Sequence, residues 1–134
     1  MLQRSPLADM QRWHQSERRK PLVLRGARQV GKTTLVRMFC DQKEIDLVEI
    51  NLEFEMELRE SFKQMDPAQI LRDIELVKGI RVNPSSVLFI DEIQIVPEAM
   101  QALRYFYEKM PQLAVVAAGS MLEFTLATTE FSMP

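Results

Sequence analysis

Cysteine, histidine and tryptophan each occur once in these 134 residues, and glycine only four times. A single Cys40 excludes an intrachain disulfide and cannot by itself build a zinc site. Its expected place is a small residue in the core. His14 is the only histidine, with no Cys or His partner nearby, so a metal role is not expected of it. No apolar run approaches the roughly 18 residues that a membrane-spanning helix needs. Residues Met1 to Pro6 lack the apolar core of a secretory signal. The expectation is a cytoplasmic protein with no membrane partner. Internal repeats and low-complexity linkers are also missing.

Present instead is an ordinary globular balance of 46% apolar and 27% charged residues. A chain of this length fits one domain, here 1–134, and buries about two thirds of its unfolded surface. The net charge of −2 hides an asymmetry. Residues 1–40 carry nine Lys and Arg against two acids, a net +7; the remainder carries eight against seventeen, a net −9. A basic stretch can serve phosphates. No aromatic residue interleaves with Arg18-Arg19-Lys20 as a base-stacking surface requires, which favours a solvated face.

Two of the four glycines bound the stretch that organises the chain. Leu22-Val23-Leu24 reads as a buried strand, Gly26-Ala27-Arg28-Gln29-Val30-Gly31 as a loop, and Lys32-Thr33-Thr34 as the start of a helix. The loop matches G-x-x-x-x-G-K-[ST], a phosphate-binding pattern. Gly26 and Gly31 permit backbone angles and close approaches that a Cβ obstructs. The loop's N–H groups then form an anion nest at the positive end of the helix. Lys32 suits the outer phosphates of a nucleoside triphosphate, and the Thr33 hydroxyl suits Mg²⁺. Helical rhythm continues to Cys40, with Leu35, Met38 and Phe39 on one face.

Along the rest of the chain, apolar strands alternate with helices. A short amphipathic helix over 7–16 precedes the loop strand, making 1–20 an N-terminal helix and linker to a core over 21–134. Its Trp13 either packs the helix on the domain, the commoner use, or covers an adenine ring. A second strand is expected over 45–51. The stretch 53–62 mixes alternation with helix formers and favours helix, with Phe54, Leu58 and Phe62 in line. Pro67 opens a helix to Lys78 that carries Ile70, Leu71, Ile74 and Val77 on one face, ended by Gly79. A third strand covers 86–91. Pro97 opens a helix with Ala99, Ala102, Leu103, Phe106 and Met110 on its apolar face, and a fourth strand covers 113–118. This alternation predicts a parallel sheet covered on both faces.

The third strand, Val87-Leu88-Phe89-Ile90-Asp91, ends in Asp91-Glu92. A carboxylate at the tip of a buried strand is costly unless compensated. Mg²⁺ beside a triphosphate compensates Asp91, and the neighbouring Glu92, turned elsewhere by strand alternation, is left to deprotonate an attacking water. An ordinary exposed turn is the plain alternative. Gln94 and Ser120 are polar residues near the ends of the third and fourth strands. Gln94 is placed to meet the γ-phosphate side or a neighbouring subunit, and Ser120 to hold the water or sense the γ-phosphate. A hydrogen-bonding role in a turn serves equally for both.

Gly26 to Leu35, with Leu88 to Gln94 and Ala118-Gly119-Ser120, resembles the AAA+ superfamily. It is most similar to prokaryotic AAA-type ATPases with a GxRQVGKTT loop, which often carry a DUF4143 domain towards their C-terminus. The resemblance implies a three-layer α/β/α P-loop NTPase core with a mostly parallel sheet in the order 2-3-1-4-5 by superfamily labels. It also implies that the strand over 114–118 lies between the loop strand and the acidic strand, with Ser120 as sensor 1 near both. Asp91 is then the Mg²⁺ group and Glu92 the catalytic base. An arginine finger from a neighbouring subunit of a homo-oligomer and a C-terminal helical lid complete such proteins. Neither is assignable here, so the expectation is a core truncated after its fourth strand. The expected activity is Mg²⁺-dependent hydrolysis of ATP to ADP and phosphate. A nucleotide-dependent binding module with little or no hydrolysis is the alternative, and a small-molecule kinase ranks last. The client, protein or nucleic acid, is not identified by the sequence.

Overall fold

Residues 6–24 and 29–119 are described by the computed structural model. Strands β1 (Leu22–Leu24), β2 (Leu47–Asn51), β3 (Val87–Asp91) and β4 (Ala114–Ala118) form one sheet in the order β1-β4-β3-β2, parallel at every pairing. Every residue of β3 and β4 is buried, whereas β2 alternates buried and half-buried residues. Strands roofed on both faces need continuous apolar sequence, and a strand at the sheet's edge does not.

Alternation along the strands divides the core in two. On one face Leu88 and Ile90 pack with Leu58 and Phe62 of α3 (Glu57–Lys63), Ile70 and Ile74 of α4 (Pro67–Lys78), and Leu103 and Phe106 of α5 (Pro97–Lys109). On the other face Val87 and Phe89 pack with Val36, Phe39 and Cys40 of α2 (Gln29–Lys43) and with Met10 and Trp13 of α1 (Pro6–Gln15). The result is the three-layer α/β/α core that the alternating pattern predicts.

Strand β4 does lie between β1 and β3. The order 2-3-1-4, read by position in the chain, is not what is found, because it would set β3 directly beside β1. The all-apolar β4 takes the interior position, where both of its faces are covered.

Local chemistry explains the helix limits. Asp66 accepts a hydrogen bond from the Ala68 N–H, Pro67 occupies the first turn, and Gly79 closes α4 in the left-handed region at φ 67°. Three apolar assignments need correcting. Phe54 is 75% exposed, because residues 52–54 form a turn and α3 starts only at Glu57. Asn51 holds that turn: its side-chain oxygen accepts from the Glu53 N–H and its carbonyl from the N–H groups of Phe54 and Glu55. Met38 and Val77 are exposed as well. The buried stripe of α2 runs through Val36, Phe39 and Cys40, with Leu35 at its margin. Burial raises the Cys40 thiol to about 11, as befits a core cysteine.

Trp13 packs the first helix on the domain and is not an exposed ring. It is buried, and its indole N–H donates to the Lys20 carbonyl at 2.6 Å. Arg19 lies over the ring and donates to the carbonyls of His14 and Gln112, tying α1 to the loop before β4.

Candidate functional site

Because every pairing is parallel, all four strands end at the same edge of the sheet. Ligands of open α/β sheets bind at that edge. The register sets Asn51 of β2 beside Asp91 of β3, and Leu24 of β1 beside Ala118 of β4. Helix α2 follows β1, so its first turn lies at this edge too. No acidic residue sits in that turn to compete for its positive end.

Here two residues 58 positions apart meet. The Thr33 hydroxyl lies 3.4 Å from Asp91 Oδ2, a long hydrogen bond. The other oxygen, Asp91 Oδ1, accepts the Glu92 N–H at 2.9 Å. Asp91 is only 7% exposed. Burial pushes its carboxyl above the ordinary range and the nearby Glu92 and Glu49 charges add to this, while the hydrogen bonds from the Glu92 N–H and Thr33 oppose it. Lys32, one residue before Thr33, is buried as well. A cleft of about 560 Å³ opens beside the pair, lined by Thr33 and Asp91 together with Asn51, Phe54, Glu55 and Lys78. Arg37 and Lys78 at its walls are engaged by Glu49 and Glu55, at 2.8 and 2.7 Å.

This donor set has a definite chemistry. Among the described residues no three His, Cys, Asp or Glu side chains gather as a metal site. A hydroxyl and one carboxylate, both hard oxygen donors, suit Mg²⁺ that keeps water and phosphate oxygens as its remaining ligands. A cation here also offsets the cost of ionising Asp91 in a buried position.

Glu92 departs from its expected geometry. Strand β3 stops at Asp91, and Glu92 takes the left-handed region at φ 53°, ψ 45°, ahead of a one-turn 3-10 helix over Ile93–Ile95. It is turned by this backbone reversal and not by strand alternation. Glu44 and Met65 share the positive φ, but they follow the ends of α2 and α3, where a left-handed residue is an ordinary terminator. At Glu92 no helix has just ended, and the conformation costs about 1–2 kcal/mol. The Glu92 carboxylate is buried, with Oε1 accepting from Gln94 Nε2 at 2.8 Å. This contact had no signal in the sequence beyond the spacing of the two polar residues.

Of the remaining loop residues, Gln29 and Val30 open α2 and Thr34 is exposed on it. Gly31 is helical, so no special backbone angle explains it. Among the described residues beyond its own helical turn, a Cβ there would meet no atom within 4 Å. Gly26, Ala27, Arg28 and Ser120 lie outside the described residues.

No described helix is long and apolar enough to cross a membrane. No curated protein matches the chain. A family model described as an AAA domain matches residues 18–133, from the loop before β1 to beyond β4. With its parallel sheet and its phosphate-loop sequence leading into α2, the chain belongs to the AAA domain family of P-loop ATPases.

Proposed function

We propose that this domain binds ATP with Mg²⁺ and hydrolyses it to ADP and phosphate. The observation that carries the reading is the meeting of Thr33 and Asp91 at the carboxyl edge of the sheet, beside the start of α2. Thr33 and Asp91 would hold Mg²⁺, which when bound neutralises phosphate charge. Lys32 and the N–H groups of residues 26–34 take the phosphates. Glu92 accepts a proton from water as the water oxygen bonds to the γ-phosphorus. The bond from that phosphorus to the bridging oxygen breaks, and ADP leaves with the electron pair. Ser120 is the proposed contact to the γ-phosphate or the water. The GxRQVGKTT-type subgroup and an arginine supplied by another copy in a homo-oligomer complete the proposal, as does a cytoplasmic setting. The client of the ATPase is left open between protein and nucleic acid.

A second reading, a nucleotide-controlled binding module with slow turnover, is favoured by the engagement of the Glu92 carboxylate with Gln94. Isothermal titration and a phosphate-release assay separate the two. Lys32→Ala is expected to abolish nucleotide binding; Glu92→Gln is expected to keep ATP binding and stop turnover. Unchanged turnover in Glu92→Gln refutes its role as base. Saturable ATP binding by the wild type at every protein concentration, without phosphate release, establishes the switch.

A further inference from the structure

We infer that Gln94 is a positioning residue for Glu92, holding its carboxylate so that one oxygen stays available to the attacking water. This rests on the hydrolytic reading above and adds a residue to it. Three observations point the same way. Gln94 Nε2 donates to Glu92 Oε1 at 2.8 Å. Glu92 itself sits in a strained left-handed conformation that no preceding helix end explains. Gln94 Oε1 is buried with no hydrogen-bond partner among the described residues.

The last of these is the most informative. A buried carbonyl oxygen without a donor is destabilising, and a leucine or methionine would fill the same space without that penalty. Turning the amide over would set its oxygen against a carboxylate, two acceptors facing each other. The orientation is therefore dictated by Glu92, and the unpaired oxygen is its consequence. The short 3-10 turn carries Gln94 two residues beyond Glu92, with the flanking Ile93 fully buried to anchor it. A neutral amide also suits the task better than a cation. An Arg or Lys at this distance would stabilise the carboxylate's charged form and weaken it as a base.

The test measures ATP turnover, ATP affinity and melting temperature in the whole chain with saturating Mg·ATP, for the wild type, Gln94→Leu, Glu92→Gln and the double variant. Gln94→Leu is expected to lower kcat tenfold or more, with nucleotide affinity and melting temperature close to wild type. The double variant is expected to be no slower than Glu92→Gln alone, because the two residues act as one unit. Gln94→Met, which keeps the length of the side chain but loses the donor, is expected to lose the same activity and carries the test if the leucine variant does not fold. Wild-type kcat in these variants overturns the proposal, as does a rise in kcat, which would make Gln94 a brake. Loss of affinity and melting temperature in proportion to activity also overturns it by showing a merely structural role. A wild type that binds Mg·ATP without turning it over overturns the hydrolytic reading itself, and turnover unchanged in Glu92→Gln overturns the role of Glu92 as base within it. Either result is distinct from a normal wild type with a fully active Gln94→Leu.

Discussion

Replacing Asp91 by Asn should make the ligand-free domain more stable at neutral pH and make Mg·ATP nearly unable to stabilise it further. Asn preserves the local shape: its Oδ1 still accepts the Glu92 N–H, and its Nδ2 faces the Thr33 oxygen. The contact to Thr33 is long at 3.4 Å, so weakening it costs less than about 1 kcal/mol. The charge decides the sign. Burial first, then the Glu92 and Glu49 charges, raise the Asp91 carboxyl above its ordinary range. An acid with a raised folded pKa binds its proton more tightly when folded. Its ionisation therefore costs nothing below the unfolded value of about 3.9, and the full penalty applies above the folded value. Asn carries no such penalty.

With ligand the order reverses. At a hundred times its dissociation constant, Mg·ATP adds about 2.7 kcal/mol to the wild type. For a domain of this size that is a rise in melting temperature of roughly 10 °C. Asp91→Asn removes the carboxylate that meets the Thr33 hydroxyl and should lose most of the Mg²⁺-dependent part of that rise. Differential scanning calorimetry at pH 7 and pH 4, with and without Mg·ATP, gives the four curves needed for each of the two proteins. A variant less stable than the wild type without ligand at pH 7 refutes the reasoning about charge. An undiminished Mg²⁺-dependent shift refutes the metal assignment.

The core and the first helix give further tests. Phe106 is fully buried between α5 and the sheet, so Phe106→Ala should cost about 3–5 kcal/mol and lower the melting temperature by on the order of 10 °C. Phe54→Ser, at a ring 75% exposed, should change stability by less than about 0.5 kcal/mol. A fall comparable to that of Phe106→Ala would mean that the turn over 52–54 is packed and not open. The imidazole of His14 meets Phe39 edge-on, and its pKa is lowered by burial first and by Arg19 and Lys43 after it. A base with a lowered folded pKa contributes stability above its unfolded value of about 6.5, and that contribution fades as pH falls through it. Between pH 7.5 and pH 5 the urea midpoint of the wild type should therefore fall more steeply than that of His14→Gln. Parallel slopes would remove His14 from the pH dependence.

What was legible in the sequence was mostly local or strongly periodic. The limits of α4 were written in Pro67 and Gly79, a first-turn proline and a left-handed terminator, and the helix runs from the one to the residue before the other. The buried tips of β3 and the start of α2 were each readable alone. Their meeting at Thr33 and Asp91 followed from the motif pair once both were placed on one parallel sheet. Strand order was not local. Nothing within 114–118 names its neighbours, and the place of β4 between β1 and β3 was expected from the AAA+ resemblance and not from local pattern. Phe54, Met38 and Val77 fit a helical stripe by spacing, yet the actual stripes are narrower and the turn set by Asn51 removes Phe54 altogether.

Glu92 shows why the site was harder to read than the fold. Alternation predicts the direction of a side chain only while the strand continues, and β3 ends one residue too soon. The cause is apolar. Ile93 and Val96 both join the core cluster formed with α5, and Ile93 is fully buried. Burying Ile93 so soon after Asp91 makes the chain reverse sharply, and the residue at the reversal is Glu92, in the left-handed region. The Asp91 carbonyl is meanwhile held by the Leu52 N–H at 3.1 Å, which keeps the strand end fixed while the chain turns. The orientation of the proposed base is thus set by a hydrophobic residue beside it, and Gln94, two residues on, is carried round by the same turn to meet it. Substituting Ile93 should disturb the Glu92–Gln94 pair as surely as substituting either partner, although Ile93 has no polar atom in its side chain.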